Sequence, residues 1–505
     1  MRILFVIIID IKMKYIRYFL FSLCCVLTVN GYAEDIKIQL KGKMIEDYKV
    51  STFDIPKDME LDFTALICQE YNEYDGRPYR FMLRNDGDLE FRINKKFLSS
   101  FEFQPTTVQE LWDVHTIVDV LPSIISDGYL DELRNEMMED AQTYLSRVRE
   151  YDLEFDDPQL LDYIHCLLLK IAPQRYLDGK KPEFNVVIEK SYYPDIKMFA
   201  NGTLAITTRL LSALHSEDEL VALMAHEMAH YVLEHSVLNV KKKILRQDRL
   251  VFWSSVMTGL SGIIASRNNN IALGTMLAVP LVAAISSQII DHLGMKYTQK
   301  QEKKANEIAL ELLKYHHYDT DALATAYSRI LRFQKETNNS FCLYNFPTQQ
   351  QNQKRIDDLG SFKALKDVDF ERRVSCVVTK IASMDYWNRH YRLCTALINQ
   401  NIDNQVATSD DYMLKAACQL ALYDTPASNQ EALNLITQAK ELGISSFINK
   451  QRTEIVAHLR LGHKQEVKQL LADYLKHLKE ADGSSNFVIS EIKWVKTMQM
   501  KLQVM

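Results

Sequence analysis

Alternation of apolar and polar positions predicts strands in the first part of the chain. The segments 37–40, 61–68 and 79–93 alternate or are rich in β-branched residues. Asp-Gly pairs at 75–76 and 86–87 supply turn signals. Residues 34–106 are therefore predicted to form a β-rich module, and no chemical motif falls within it.

From residue 107 onward the apolar positions recur with helical spacing, with one short interruption. The segment 184–189 is typical of a strand. The pair Asn201-Gly202 lies between apolar segments 196–200 and 203–207, which is a strong hairpin signal because both residues accept a positive φ. A helix is predicted to start near Arg209. We therefore expect a mainly α fold with a small β component: a short sheet with an edge-strand hairpin, then helices.

Two helices of the central region are predicted to have a buried side. Ser216, followed by Glu219, is the pattern of a capping box and predicts a helix start. Apolar and strongly helix-forming residues follow at Leu220, Val221, Leu223, Met224, Ala225 and Ala229. A later helix carries an i, i+3, i+4, i+7, i+8 stripe made of Ala305, Ile308, Ala309, Leu312 and Leu313.

Two apolar stretches, 251–266 and 268–290, lie between these helices, and Arg267 is the only charged residue from 251 to 290. Each is near the lower limit of roughly 20 apolar residues that a bilayer span needs. A membrane-touching helical hairpin (251–290) and a pair of buried helices beside the central helix both fit this pattern.

The last part of the chain is predicted to be helical. The segments 410–443 and 445–480 each resemble a helix pair and are close to the tetratricopeptide period of roughly 34 residues. Degenerate repeats and a plain helical cap both fit. The predicted division of the chain is 1–33, 34–106, 107–365 and 366–505.

Composition and charge narrow the class of protein. Of the 505 residues, 47% are apolar and 25% charged, which is ordinary for a folded chain. The formal net charge of -6 is mild, so we expect no nucleic-acid partner.

The first 33 residues have the layout of a secretory signal peptide. Residues 14–17 hold two basic side chains, 18–29 are apolar, and the small residues Gly31 and Ala33 precede Glu34. An uncleaved anchor is the alternative. We expect an exported protein, periplasmic or otherwise associated with the envelope.

Six cysteines follow this segment, and none is in a C-x-x-C pair, which argues against a cysteine zinc site. Disulfides and simple buried thiols both stay open.

The strongest chemical pattern is His226-Glu227-Met228-Ala229-His230. Residues four apart lie on one face of a helix, so both imidazoles can reach one Zn²⁺ ion. Glu227 lies beside them, where its carboxylate can take a proton from water and hand it to the leaving amine.

A zinc site of this kind needs a third protein ligand. The apolar stripe of the later helix, extended backwards, includes Glu302 and passes near Asn306. A carboxylate on the buried side of a helix is costly unless it is paired or binds a metal. Glu302 is therefore the predicted third ligand.

These segments resemble the gluzincin zinc metallopeptidases of the HtpX-like, Oma-like and CAAX prenyl protease type. Such peptidases have a strand and hairpin, a helix with H-E-x-x-H, an apolar hairpin and a helix with E-x-x-x-D. The resemblance covers about residues 157–359. The signal segment and the repeat-like tail make periplasmic BepA-like peptidases the closest in layout.

The resemblance implies roles for further residues. His235 stands where the family often repeats a histidine, and Arg355, which matches an R-I segment of the family, is expected to bind substrate. The strand at Met198, Phe199 and Ala200 would bind a substrate backbone by strand addition, because an edge strand offers unpaired amides and carbonyls.

Two positions depart from the family pattern. Asn306 replaces an aspartate that would orient a ligand histidine; its amide oxygen can still accept the imidazole N–H, without the charge. Phe346 replaces the histidine of the H-P pair. Zinc binding is thus better supported than rapid cleavage.

Two functions are compatible with these residues. One is an endopeptidase acting on misfolded or unassembled envelope proteins. The other is a weakly active or inactive zinc-bearing scaffold that binds envelope proteins, including outer-membrane assembly partners, through its helical tail.

Overall fold

The computed structural model describes residues 36–50, 53–67, 79–84, 95–120, 128–175, 183–246, 297–337, 349–360, 362–480 and 486–504. The predicted signal segment, the apolar stretches of 251–290 and Phe346 lie outside these residues. Contacts group the chain into two units: Met1–Ser126 with Gln174–Pro182, and Asp127–Pro173 with Glu183–Met505. The first unit extends past the predicted β-rich module, and the second contains the C-terminal helices together with most of the predicted 107–365 region.

Antiparallel strands dominate the first unit. Its elements are β1 (Ile36–Met44), β2 (Tyr48–Val50), β3 (Phe53–Ile55), β4 (Glu60–Ile67), β5 (Tyr79–Arg84), α1 (Lys95–Ser99), β6 (Phe101–Phe103), α2 (Val108–His115) and a π-helical turn (Thr116–Val120). The main sheet has the order β5-β4-β1-β6, and β2 pairs with β3. Alternate residues such as Ile38, Leu40 and Phe63 are buried, as a strand with one covered face requires. The predicted strand at 37–40 is confirmed, and those at 61–68 and 79–93 are confirmed as far as residues 67 and 84, where the described segments end.

The second unit contains a three-stranded sheet. Its strands are β7 (Asn185–Glu189), β8 (Ile196–Met198) and β9 (Thr203–Thr207), in the order β7-β9-β8. β9 runs parallel to β7 and antiparallel to β8, so β8 is an edge strand. The helix α3 (Gly128–Glu150) covers part of this sheet through Tyr144, which meets the Phe199 ring edge-on.

The predicted hairpin at Asn201-Gly202 is confirmed. Gly202 has a φ of 79°, and a Cβ atom at this position would come within 2.5 Å of the Glu183 carbonyl oxygen. Both the positive φ and the close approach require glycine. The turn holds β8 antiparallel to β9 and so makes β8 the edge strand of this sheet.

The other regular elements that the structure describes in the second unit, as far as residue 360, are helices. They are α4 (Pro158–Ile171), α5 (Thr208–Ala213), α6 (Glu217–Val232), α7 (His235–Arg246), α8 (Gln299–Tyr315), α9 (Ala322–Thr337) and α10 (Gln349–Leu359). The helix α6 packs against β8, α8 and α9. Its N-cap is Ser216, which accepts the N–H of Glu219 as predicted. The Glu219 carboxylate, however, binds the N–H of His215 and the guanidinium of Arg329, so the predicted capping box is only half formed.

The C-terminal helices follow as consecutive hairpins. They are α11 (Val368–Arg373), α12 (Ser375–Trp387), α13 (Tyr391–Asp403), α14 (Ser409–Leu422), α15 (Pro426–Leu442), α16 (Lys450–Arg460), α17 (Lys464–Glu480) and α18 (Asn486–Val504). The pairs α14–α15 and α16–α17 coincide with the two predicted helix pairs. The mainly α fold with small sheets is confirmed. Over the described parts of the chain, no helix combines the length and the apolar character that a membrane span needs.

Candidate metal centre

The predicted ligand residues meet between α6 and α8. His226 and His230 lie one turn apart on α6 and are 3% and 1% exposed. Glu302 lies in the first turn of α8, which Thr298 and Gln301 start with a reciprocal capping box. Since α8 packs against α6, the early carboxylate of one helix reaches the two imidazoles of the other.

The three ligand atoms are spaced like corners of a coordination tetrahedron. Nε2 of His226 is 3.1 Å from Nε2 of His230. Oε2 of Glu302 is 3.4 Å from the first of these nitrogens and 3.8 Å from the second. Zinc bonds of about 2.0–2.1 Å in tetrahedral geometry require ligand atoms about 3.3 Å apart. The structure therefore holds these atoms at the separations that one zinc ion needs.

Buried polar atoms without partners mark the same place. Oε2 of Glu302 and Oε2 of Glu227 are buried, and neither has a hydrogen-bond partner among the described residues. Burying such atoms unpaired is costly, and a metal ion with its water would satisfy them. The donor set of two imidazoles and one carboxylate also suits zinc. The residues present thus fit the metal.

His235 contacts the second ligand histidine. Its Nδ1 is 2.8 Å from Nδ1 of His230, on the side of the ring away from Glu302. An imidazole that ligates through Nε2 carries its proton on Nδ1, so His230 would donate this bond to His235. Burial lowers the pKa of His230 well below its usual value, and the ring is therefore neutral, as a ligand must be.

Arg355 of α10 contacts the carboxylate ligand. Its guanidinium lies 2.5 Å from Oε1 of Glu302, which leaves Oε2 to face the histidines. The guanidinium also lies 5.1 Å from the ring centroid of Tyr327. Burial would raise the pKa of Glu302, but the adjacent imidazoles of His226 and His230 and the charge of Arg355 lower it well below its usual value. Glu302 is therefore ionised.

Glu227 is half-buried and lies on α6 beside the first ligand. Burial raises the pKa of its carboxyl group, while the charges of His226 and Lys197 oppose the rise. A carboxylate in this position can exchange a proton with water or a leaving amine. The arrangement as a whole suits metal-assisted hydrolysis.

Comparison with known proteins agrees with this chemistry. Residues 158–363 match the model of peptidase family M48. These residues form an M48 metallopeptidase domain. The M48 domain includes the three predicted metal ligands, and it also includes Glu227 and Arg355.

Two curated proteins are similar over this region. One, from Vibrio cholerae, is named as a candidate beta-barrel assembly-enhancing protease and is 24% identical over 190 residues, which is 38% of this chain and 37% of that protein. The other is the mitochondrial metalloendopeptidase OMA1 of Saccharomyces cerevisiae, 25% identical over 208 residues, 39% of this chain and 54% of that protein. The alignments thus span between about a third and just over half of these relatives.

Some predicted site residues of the M48 domain have other contacts than expected. Arg355, predicted to bind substrate, is instead paired with Glu302. Asn306 was expected to accept a bond from a ligand histidine, but its buried Oδ1 has no partner in the described structure, and neither has Nδ1 of His226. That correction follows from the geometry of α8, which places the side chain on the inner face without bringing it into hydrogen-bond distance of an imidazole.

The predicted substrate strand is partly corrected. Met198 lies in the edge strand β8, as expected. Phe199 is fully buried; its N–H donates to the Thr203 carbonyl and its own carbonyl accepts from Gly202, so both groups already close the hairpin. Ala200 packs against a cluster of buried residues that belong to α3 and α7. Phe199 and Ala200 therefore support the fold instead of offering a free edge.

Two residues of the site were missed from the sequence. Lys197 is 2% exposed within β8, and the ring of Tyr297 stacks on the His230 ring with centroids 3.6 Å apart. A lysine inside an otherwise apolar strand is a usable signal, because buried lysines are rare without a reason. Tyr297 follows the apolar stretches and carries no comparable signal.

Proposed function

We propose that this protein is a zinc-dependent endopeptidase that hydrolyses peptide bonds at the centre formed by His226, His230 and Glu302. The observation that carries the proposal is the tetrahedral spacing of the three ligand atoms, with Glu227 beside them. Bound there, zinc would polarise the scissile carbonyl and make water more acidic.

The roles of the chain's own residues follow from their positions. Glu227 takes a proton from the attacking water and returns it to the leaving amine. Arg355 holds Oε1 of Glu302, so that the other oxygen keeps its direction toward the histidines. His235 fixes the ring orientation of His230 through Nδ1.

The edge strand β8 supports an extended peptide as the substrate. Thr207 and Phe199 donate to the carbonyls of Asp195 and Thr203, which makes these hydrogen-bonded pairs of the β8–β9 ladder. Pairs alternate in an antiparallel ladder, so the peptide groups of Ile196 and Met198 point away from β9. A peptide added at this edge would run past the metal centre.

Export and envelope substrates belong to this proposal. The layout of residues 1–33 supports export, and the Vibrio cholerae relative is named for beta-barrel assembly. Misfolded or unassembled envelope proteins are therefore the proposed substrates, and the consecutive helix hairpins of 366–505 the proposed recognition surface. A reporter that is active only outside the cytoplasm, fused after residue 33, should be active; an inactive fusion would contradict export.

The decisive experiment compares zinc content and casein cleavage in purified variants. We expect about one zinc per chain, and a loss of cleavage of at least about 100-fold in Glu227→Gln with zinc retained. Glu302→Ala should lose zinc. Glu307→Gln, on an exposed position of α8, is the matched control and should behave as wild type.

Each contrary result has a definite meaning. Full cleavage by Glu227→Gln would rule out the proposed mechanism. Zinc in every chain without cleavage by the wild type would favour the zinc-bearing scaffold, for which the unpaired Asn306 is the supporting observation.

A further inference from the structure

A buried amine lies beside the metal centre and has no role in the mechanism above. Lys197 is the middle residue of β8, and its side chain is 2% exposed. Its Nζ has no hydrogen-bond partner in the described part of the chain. A lysine amine removed from water and left without an acceptor is costly, so the position calls for an explanation.

The amine points toward the reacting region. Nζ lies 5.0 Å from the ring centroid of Tyr297, and that ring stacks on His230 at 3.6 Å, nearly parallel. The hydroxyl of Tyr297 is already paired with Ser236. Lys197 therefore reaches the aromatic layer that covers one metal ligand.

The surrounding charges are negative. Glu227, Asp195 and Glu302 all raise the pKa of Lys197, and burial lowers it further than they raise it. None of the three accepts a hydrogen bond from Nζ. The negative charges of these carboxylates offset part of the cost of burying Lys197. The N–H groups of its amine nevertheless donate no hydrogen bond within the described structure. An amine donates in both its charged and its neutral form.

The position along β8 relates Lys197 to the substrate. The peptide groups of Ile196 and Met198, on either side of it, point away from β9, to the side of β8 where no other described strand pairs. A peptide paired with those groups and extending to the metal centre passes the amine. Peptide hydrolysis then creates negative charge on the carbonyl oxygen, which a preorganised donor stabilises.

We propose that Lys197 is a catalytic residue of this site, and that its Nζ donates a hydrogen bond to the carbonyl oxygen of the bond being hydrolysed. This inference rests on the proposed peptidase function. It assigns to Lys197 the stabilisation of the oxygen that gains charge, a task distinct from the proton transfer by Glu227.

The test uses Lys197→Met, which keeps an unbranched side chain of similar shape and removes the donor. We expect kcat/KM for a peptide substrate to fall about 100-fold, with zinc content and thermal stability unchanged. Lys197→Arg, which restores donors, should recover part of the rate. Lys190→Met is the matched control, because the Lys190 amine is bound to Asp152 instead.

A binding measurement separates this role from a structural one. Two ligands of one peptide sequence are titrated into zinc-loaded Glu227→Gln protein: the uncleaved amide and a phosphinic analogue with a charged tetrahedral group. Adding Lys197→Met should weaken the phosphinic peptide about tenfold or more and leave the amide nearly unchanged. A lysine that only packs would change neither affinity, and its replacement by methionine would keep or raise the thermal stability.

Equal affinities for the phosphinic peptide with and without Lys197 would overturn the inference. The titration needs no turnover, so it judges Lys197 even if casein is not cleaved. Absence of zinc, or full activity of Glu227→Gln, would instead count against the proposed function. A protein with zinc that fails to bind the phosphinic peptide would count against both.

Discussion

A buried ion pair ties the M48 domain to the C-terminal helices. Arg209 of α5 forms two hydrogen bonds with Asp385 of α12, at 3.0 and 2.8 Å, and the two side chains are 4% and 0% exposed. The guanidinium also donates to the Tyr192 carbonyl and lies 4.7 Å from the ring centroids of both Tyr192 and Phe333. Three N–H groups of Arg209 thus have buried acceptors, and two aromatic rings lie against its guanidinium.

We predict that Arg209→Met lowers the free energy of unfolding by about 3–5 kcal/mol. Removing Arg209 leaves the buried carboxylate of Asp385 without its guanidinium partner, and the contacts with Tyr192 and His390 do not replace that charge. Loss of the two ring contacts adds to this cost, about 1 kcal/mol or more for each desolvated contact. Urea denaturation followed by far-UV circular dichroism measures the change.

Two further variants test the physical reason. Arg332→Met removes an equally short but exposed pair with Glu336, and should cost less than about 1 kcal/mol. The double variant Arg209→Met with Asp385→Leu should recover much of the loss, because no buried charge is left unpaired. A loss for Arg209→Met no larger than for Arg332→Met would refute the reasoning.

The same pair predicts a pH dependence. Burial would raise the pKa of Asp385, but the charge of Arg209 and hydrogen bonds from His390, Arg209 and Tyr192 lower it below its usual value. A depressed folded pKa stabilises the protein above the unfolded pKa of about 3.9. This stabilisation should be lost as the pH falls below about 4, and Asp385→Asn should lack that part of the decrease.

Three further predictions concern the metal centre, the hairpin and the thiols. His235→Phe removes the partner of His230 and should weaken zinc affinity about 10–100-fold in a chelator competition; an unchanged affinity would contradict the contact. Gly202→Ala should lower the thermal midpoint, because of the positive φ and the nearby carbonyl, and an unaltered midpoint would argue against the turn. Cys394 is buried, and a hydrogen bond with Cys418 together with this burial raises the pKa of its thiol. It should therefore react with a thiol reagent only after unfolding, and rapid labelling of the folded protein would disprove its burial.

The local parts of the fold were predictable because single residues determine them. Gly202 fixed the hairpin, Ser216 fixed the start of α6, and the apolar stripe after Ala305 gave the inner face of α8. The ligand set followed from these elements, since Glu302 lies on the inner face of α8. Patterns of spacing and capping act within a few residues and are visible in one sequence.

Contacts between distant segments were not predictable in the same way. The sequence predicts a substrate contact for Arg355, yet this residue lies beside Glu302 because α10 returns to the start of α8. The sequence also predicts a free edge at Phe199, although its backbone closes the hairpin with Thr203. Both errors arise from tertiary packing. Packing decides which distant residues come into contact, and it leaves no periodic pattern in the sequence. The Arg209 pair, spanning two regions predicted as separate domains, was missed for the same reason.

The three ligands are held to different degrees, and this separates metal binding from catalysis. His230 and Glu302 each have their second atom bound, by His235 and Arg355, whereas Nδ1 of His226 has no partner in the described structure. Loss of the His235 or the Arg355 contact should therefore reduce the affinity for zinc more than it reduces the cleavage rate of the zinc-loaded protein. Glu227 is placed by α6 alone and ligates nothing, so its removal should act on the rate and leave the zinc in place. A chain that binds zinc with full affinity and cleaves slowly would then have its defect among the groups that face the substrate, which among the described residues include Glu227 and, by our inference, Lys197.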